Sequence, residues 1–190
     1  APTDTNLVSA LAAFDTITQS LILNLPGVTG TTDINNAITY ATGRGDVFVV
    51  VDAIDDTVSA QLTRAAAYTS TSYAAVYYPN LVIPDPVSSA PNAVTTVPNG
   101  AAVIGRYVAT DASRGIFKSP AGLEARLSGV VSVAQLTNSE LDSLNSASAP
   151  VNAIRYVPGS GIVVMGARTL KPGYADRYVS VRRSLIYIKK

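Results

Sequence analysis

The 190-residue sequence contains neither cysteine nor histidine. Without cysteine there is no disulfide framework, no thiol nucleophile and no thiolate metal site. Histidine is the usual general base and the commonest metal ligand, so its absence removes the Ser-His-Asp triad, the zinc-protease pair and most transition-metal sites together. Only carboxylate, lysine or tyrosine chemistry remains for an enzyme. Charge is also scarce: Asp, Glu, Lys and Arg make up 14% of the residues, and 14 basic residues nearly cancel 13 acidic ones to leave a formal charge of +1. That balance offers no electrostatic footprint for a run of phosphates, which argues against nucleic acid and anionic membranes as partners. The pairs Arg182-Arg183 and Lys189-Lys190 are local exceptions, read as a solvated helix face or C-terminal turn. No apolar run reaches the roughly 18 to 20 residues that span a bilayer, and the longest, Val47 to Val51, has strand length.

What is present is a core. Apolar residues make up 47% of the chain, far from the low-hydrophobicity, high-charge region of disorder, and the length suits one domain that buries about two thirds of its unfolded surface. A surface this poor in charge suggests that much of it meets other protein. The opening Ala-Pro-Thr and the closing Ser184-Leu-Ile-Tyr-Ile-Lys-Lys190, which resembles a helix in mid-course, read as a processed or excised part of a longer polypeptide.

Periodicity divides the chain into alternating elements. Leu7, Ala10, Leu11 and Phe14 recur at helical spacing, and Ser20-Leu-Ile-Leu-Asn-Leu25 follows as a strand. Asp33 is placed to cap a helix with the stripe Ile34, Ala37, Ile38 and Ala41, ended by Gly43 or Gly45 before the strand Val47-Phe-Val-Val-Val51. Asp55, Asp56 and Thr57 open a helix with Val58, Leu62, Ala65 and Ala66 inward, and Ser72 to Tyr78 reads as a third strand. Wholly apolar strands separated by helices imply a parallel sheet covered on both faces with right-handed crossovers. The proline-rich stretch 84–98 reads as a loop or insertion point. A helix then runs to about Gly115 with Val103, Ile104, Tyr107 and Val108 on one side. Thr137 and Glu140 form a capping box, with Leu136 and Leu141 at staple positions. The segments around Ala153–Val157 and Ile162–Val164, joined by Pro158-Gly-Ser-Gly161, read as a hairpin with a type II turn, and Tyr178, Val181, Leu185 and Ile188 mark a last helix. The expected fold is therefore a single α/β domain over 1–190, with a mostly parallel sheet flanked by helices and a hairpin-containing segment in the carboxyl half.

Few sites suggest chemistry. Gly43-Arg-Gly45 and Gly159-Ser-Gly161 lack the third glycine or the Lys-Ser/Thr of phosphate loops and read as turns. Asp52, Asp55 and Asp56 follow a buried strand at the carboxyl edge of the sheet, where α/β ligand sites lie, so a divalent-metal enzyme is one alternative; capping of the next helix is the simpler reading. Arg44-Gly-Asp46 spells an adhesion tripeptide, a second alternative, but it joins a helix to a buried strand.

Three segments carry a resemblance. Arg114-Gly-Ile-Phe-Lys-Ser-Pro-Ala-Gly122, Gly161-Ile-Val-Val-Met-Gly-Ala-Arg-Thr-Leu170 and Tyr178-Val-Ser-Val-Arg-Arg-Ser-Leu-Ile-Tyr-Ile188, with Tyr77-Tyr-Pro-Asn80, Asp111, Leu136-Thr137, Asn152 and Ile154-Arg155, are similar to tail sheath proteins of contractile phages and related phage-tail-like particles. Met165 departs from the tryptophan that the family often carries before Gly-Ala-Arg-Thr. The resemblance implies a non-catalytic, subtilisin-like domain with no cofactor and no metal. It further implies a structural subunit that stacks in hexameric rings around a tail tube, joins a baseplate and contracts to drive the tube through a host envelope during DNA delivery. It places the protein in the virion tail after assembly in the host cytoplasm, without nucleic-acid binding or membrane insertion. Candidate interface or framework residues are Arg114, Lys118, Pro120, Gly122, Gly166, Arg168, Arg182 and Arg183.

Overall fold

The computed structural model describes residues 4–54, 57–173 and 175–189. In chain order these form α1 (Asp4–Ala12), extended by a 3-10 turn, then β1 (Leu21–Asn24), α2 (Thr31–Arg44), β2 (Val47–Val51), α3 (Val58–Ala66) and β3 (Ala74–Tyr78). There follow β4 (Leu81–Pro84), β5 (Val94–Val97), α4 (Gly100–Arg114), β6 (Ser132–Val133), α5 (Asn138–Ser146), β7 (Val151–Val157), β8 (Gly161–Val164) and α6 (Val179–Ile188).

A five-stranded sheet in the order β1-β2-β3-β7-β8 forms the middle layer. Its first four members run parallel, with Leu21 opposite Val47, Val49 opposite Ala74 and Val76 opposite Val151, and β8 returns antiparallel along β7. The alternation of side chains along a strand assigns each face its own helices. Val47, Val49 and Val51 join Ile34, Ile38 and Ala41 of α2, Ala65 of α3 and Leu144 of α5 in one apolar cluster. Phe48 and Val50, pointing the other way, join Val103 and Tyr107 of α4 and Val179 and Ile186 of α6 in a second. Both faces of β2 are covered, which is why its sequence is apolar at every position; each such side chain contributes about 1.5–3 kcal/mol of burial.

A smaller antiparallel sheet, β5-β4-β6, stands beside the end of β3. The proline-rich run is the loop of its β4–β5 hairpin, and Val94–Val97 is the return strand, so the loop is shorter than the expected 84–98. The β7–β8 turn is the expected type II: Gly159 takes φ 80°, and Ser160 N–H donates to Val157 O at 3.0 Å.

The helix faces depart from the sequence reading in four places. Asp33 lies within the first turn of α2, whose N-cap is Gly30. In α3 Ala65 faces inward as expected, but Gln61 is buried beside it and Ala66 is exposed; Gln61 Oε1 accepts from Ile54 N–H at 3.1 Å, tying the β2–α3 connection. Thr57 caps α3 by accepting from Ala60 N–H, while Asp55 and Asp56 lie outside the described residues. In α4, Val108 is exposed and Thr110 is buried, because the inward stripe is Gly100, Val103, Tyr107, Thr110. In α6 the expected stripe of Val181, Leu185 and Ile188 is not the buried one: Val179, Ser180, Arg183 and Ile186 face inward, and Leu185, Tyr187 and Ile188 are exposed. A buried ion pair outranks apolar periodicity there.

Candidate functional site

The eight residues singled out in the sequence fall into three places, each joining elements that the chain brings together late. The first is at β7. Asn152 is buried, and its Nδ2 donates to Val76 O at 3.0 Å and Arg168 O at 2.7 Å while its Oδ1 accepts from Arg168 N–H at 2.7 Å. One side chain thereby does the work of a strand pairing between β3, β7 and the segment that follows β8. Gly166 is needed for this approach: a Cβ there would lie 2.6 Å from Asn152 Oδ1 and 2.8 Å from Asn152 Cα. The Arg168 guanidinium reaches Asn145 O at 2.7 Å and so satisfies a carbonyl in the last turn of α5.

The second place is α6. Arg182 and Arg183, adjacent in sequence, diverge. Arg183 is buried and its two terminal nitrogens donate to the Asp111 carboxylate of α4, a bidentate pair. Its guanidinium also stacks 4.8 Å from the centroid of the Tyr107 ring, and the Tyr107 hydroxyl pairs with that of Tyr77 in β3. Burial pushes both phenols well above their ordinary range, against an opposing pull from Arg183. Arg182 instead stacks on Tyr73, 4.5 Å from its centroid, and pairs with Asp176 at 3.1 Å. Asp176 also accepts from Lys171 at 2.8 Å; the Lys171 hydrogen bond, with the two cationic charges, holds its carboxyl below the usual range.

The third place is the loop after α4. Arg114 and Lys118 both approach Glu124, each at 3.5 Å and each substantially exposed, so neither ion pair stabilises the fold by more than about 1 kcal/mol. Pro120 is buried. Gly122, at φ 96°, donates its N–H to Val164 O at 2.8 Å, Val164 N–H donates to Ala125 O, and Leu127 N–H donates to Ile162 O. These bonds lay residues 122–127 along the outer edge of β8.

Asp52 has a different task from metal binding. It is buried at the carboxyl end of β2, where it accepts from Gly100 N–H at 2.5 Å and from Asn24 Nδ2 at 3.2 Å. It caps the start of α4 from across the sheet, and Gly100 has no room for a Cβ, which would meet Asp52 Oδ1 at 2.3 Å. Burial raises its carboxyl, opposed by these two hydrogen bonds. Among the described residues no group of three or more His, Cys, Asp or Glu gathers in metal-binding array. The Arg44-Gly-Asp46 tripeptide is likewise absorbed by the fold: Arg44 pairs with Asp46 at 2.7 Å and donates to the carbonyls of Phe14 and Ile17, with both side chains largely covered. It is no exposed loop tip of the kind adhesion requires.

Asn99 and the Tyr77–Tyr107 pair were missed as structural centres. Asn99 is fully buried and donates to Tyr77 O and Pro79 O, both at 2.9 Å. An asparagine before a glycine at a helix start reads as a turn, and only the fold shows that it joins β3 to α4.

The arrangement is thus a set of packing and charge contacts that bind helices to a sheet, and the chain has the fold found in structures of contractile sheaths. It is similar, at 28% identity and a TM-score of 0.79 over 97% of its length, to a chain of the PVC sheath complex of an extracellular contractile injection system in the contracted state. It is similar at 27% identity and a TM-score of 0.76, over its whole length, to a chain of the anti-feeding prophage helical sheath in the contracted state, and at 26% identity and the same score to a chain of the anti-feeding prophage baseplate. The chain spans about half the length of these solved chains. No protein-family model and no curated protein sequence matches it.

Proposed function

We propose that this chain is the α/β domain of a structural, non-enzymatic subunit of a contractile tail sheath. The subunit polymerises with its copies in hexameric rings around a tail tube, meets a baseplate at one end, and contracts to drive the tube through an envelope. The observation that carries this reading is the similarity, over 97–100% of the chain, to chains of two contractile assemblies at 26–28% identity. The lack of histidine and cysteine and the commitment of Asp52 to helix capping support a mechanical rather than a chemical role.

Contraction in such a lattice sums many small interface differences between an extended and a compact arrangement, so the subunit needs a rigid body rather than a reactive centre. The protein belongs on this reading to the tail of an extracellular particle assembled in the cytoplasm of the producing cell. Among the described residues no helix is long and apolar enough to cross a membrane.

Negative-stain electron microscopy of the complete gene product, expressed with its tube protein, tests the proposal. Hollow, cross-striated tubes with six-fold symmetry are the expected result. Compact monomers under all salt and pH conditions overturn it.

A further inference from the structure

Helix α6 is fastened to the sheet largely by polar contacts. Only two of its apolar side chains, Val179 and Ile186, enter the core, while Leu185, Tyr187 and Ile188 face outward, the last two 68% and 76% exposed. Its remaining attachments are polar. Arg183 grips Asp111 and stacks on Tyr107; Arg182 grips Asp176 and stacks on Tyr73; Ser180 shares a hydrogen bond with Ser119 at 3.1 Å; Val179 N–H donates to Ala167 O at 3.0 Å. Beneath its last turn lies a cavity of about 250 Å³, lined by Ile186 and Tyr187 on one side and by Leu21, Ile22, Phe48 and Ile116 on the other. The last turn of the helix thus leaves a gap against β1 and Ile116, although Ile186 stays buried with Phe48 in the second cluster.

We propose that α6 is a strap that opens as a unit while the five-stranded sheet stays folded, with the Arg183–Asp111 pair as its principal fastening. Docking through few buried apolar contacts places a segment at the low end of local stability, below the global unfolding free energy of the core strands. The open state releases Val179 and Ile186 from the second apolar cluster but leaves β2, β3 and β7 hydrogen-bonded to one another. This inference rests on the packing of the helix and holds whether or not the chain builds a sheath.

Hydrogen exchange of the unaltered protein, followed by mass spectrometry under conditions where exchange reports opening equilibria, carries the decisive comparison. Amides of residues 183–188 are expected to exchange at least tenfold faster than those of β2 and β3. Equal protection in α6 and the sheet, set by global unfolding, overturns the proposal. Asp111→Asn is expected to accelerate α6 a further tenfold or more with the sheet amides unchanged, and acceleration of both by the same factor counts against it. Asp176→Asn, which loosens the second arginine and leaves α4 untouched, gives the same reading in a smaller degree should Asp111→Asn fail to fold. Filling the cavity by Ile116→Phe is expected to slow α6 exchange selectively.

Discussion

The Arg183 guanidinium lies over the Tyr107 ring while both its terminal nitrogens are taken by Asp111, so one buried side chain satisfies a charge and an aromatic face on the same helix, α4. Arg183→Ala leaves Asp111 half-buried without its partner and opens space over Tyr107. A loss of about 3 kcal/mol is expected in urea unfolding. Arg183→Lys keeps the charge but not the forked geometry and should fall between. The paired replacement Arg183→Met with Asp111→Leu is expected to recover most of the stability, since it removes the uncompensated charge.

Two glycines respond in opposite directions to a methyl group. Gly166→Ala forces a Cβ into the backbone and side chain of Asn152 and should destabilise the domain by about 1–3 kcal/mol. Gly105, inside α4, has nothing within 4 Å of a built Cβ, and Gly105→Ala should stabilise by about 0.5–1 kcal/mol through helix propensity. Thermal melts of the two variants beside the parent protein check both signs.

The two shifted aspartates give stability an opposed pH dependence. Asp176 has a lowered folded-state pKa, so its contribution is present above the ordinary carboxylate value and is lost as pH falls through the folded one. Asp52 has a raised folded-state pKa: the folded state binds its proton more readily than the unfolded chain, and stability falls as pH rises from the ordinary value through the folded one. Asp176→Asn should flatten the acid limb below about pH 4. Asp52→Asn, which retains an oxygen to accept from Gly100, should flatten the slope on the other side of that value. Urea midpoints measured across the acid range separate the two.

Much of the fold is legible in the sequence because apolar periodicity and capping chemistry agree there. Val47–Val51 announces a strand buried on both faces, the stripe Ile34, Ala37, Ile38, Ala41 is the buried stripe of α2, and the Thr137–Glu140 capping box forms as its residue types require. The reading fails where a polar group takes an inward position through a partner distant in sequence. Gln61 faces inward because Ile54 N–H needs an acceptor, Arg183 because Asp111 lies 72 residues away, and Asp52 caps a helix that starts 48 residues later. Local pattern carries no record of such pairings. For the candidate residues, the motif Gly166-Ala-Arg-Thr was visible but its reason was not: Asn152 sets the space that Gly166 must leave empty.

The two apolar clusters share the strands of one sheet, and among the described residues one side chain, Tyr73, packs against both. The sheet is thus a party wall between two rooms. Val49 answers to α2, α3 and α5, and Val50, its neighbour, to α4 and α6; the tyrosine that touches both sides also carries the Arg182 guanidinium over its ring. A domain divided in this way can rearrange the α6 side while the α2 side keeps its shape.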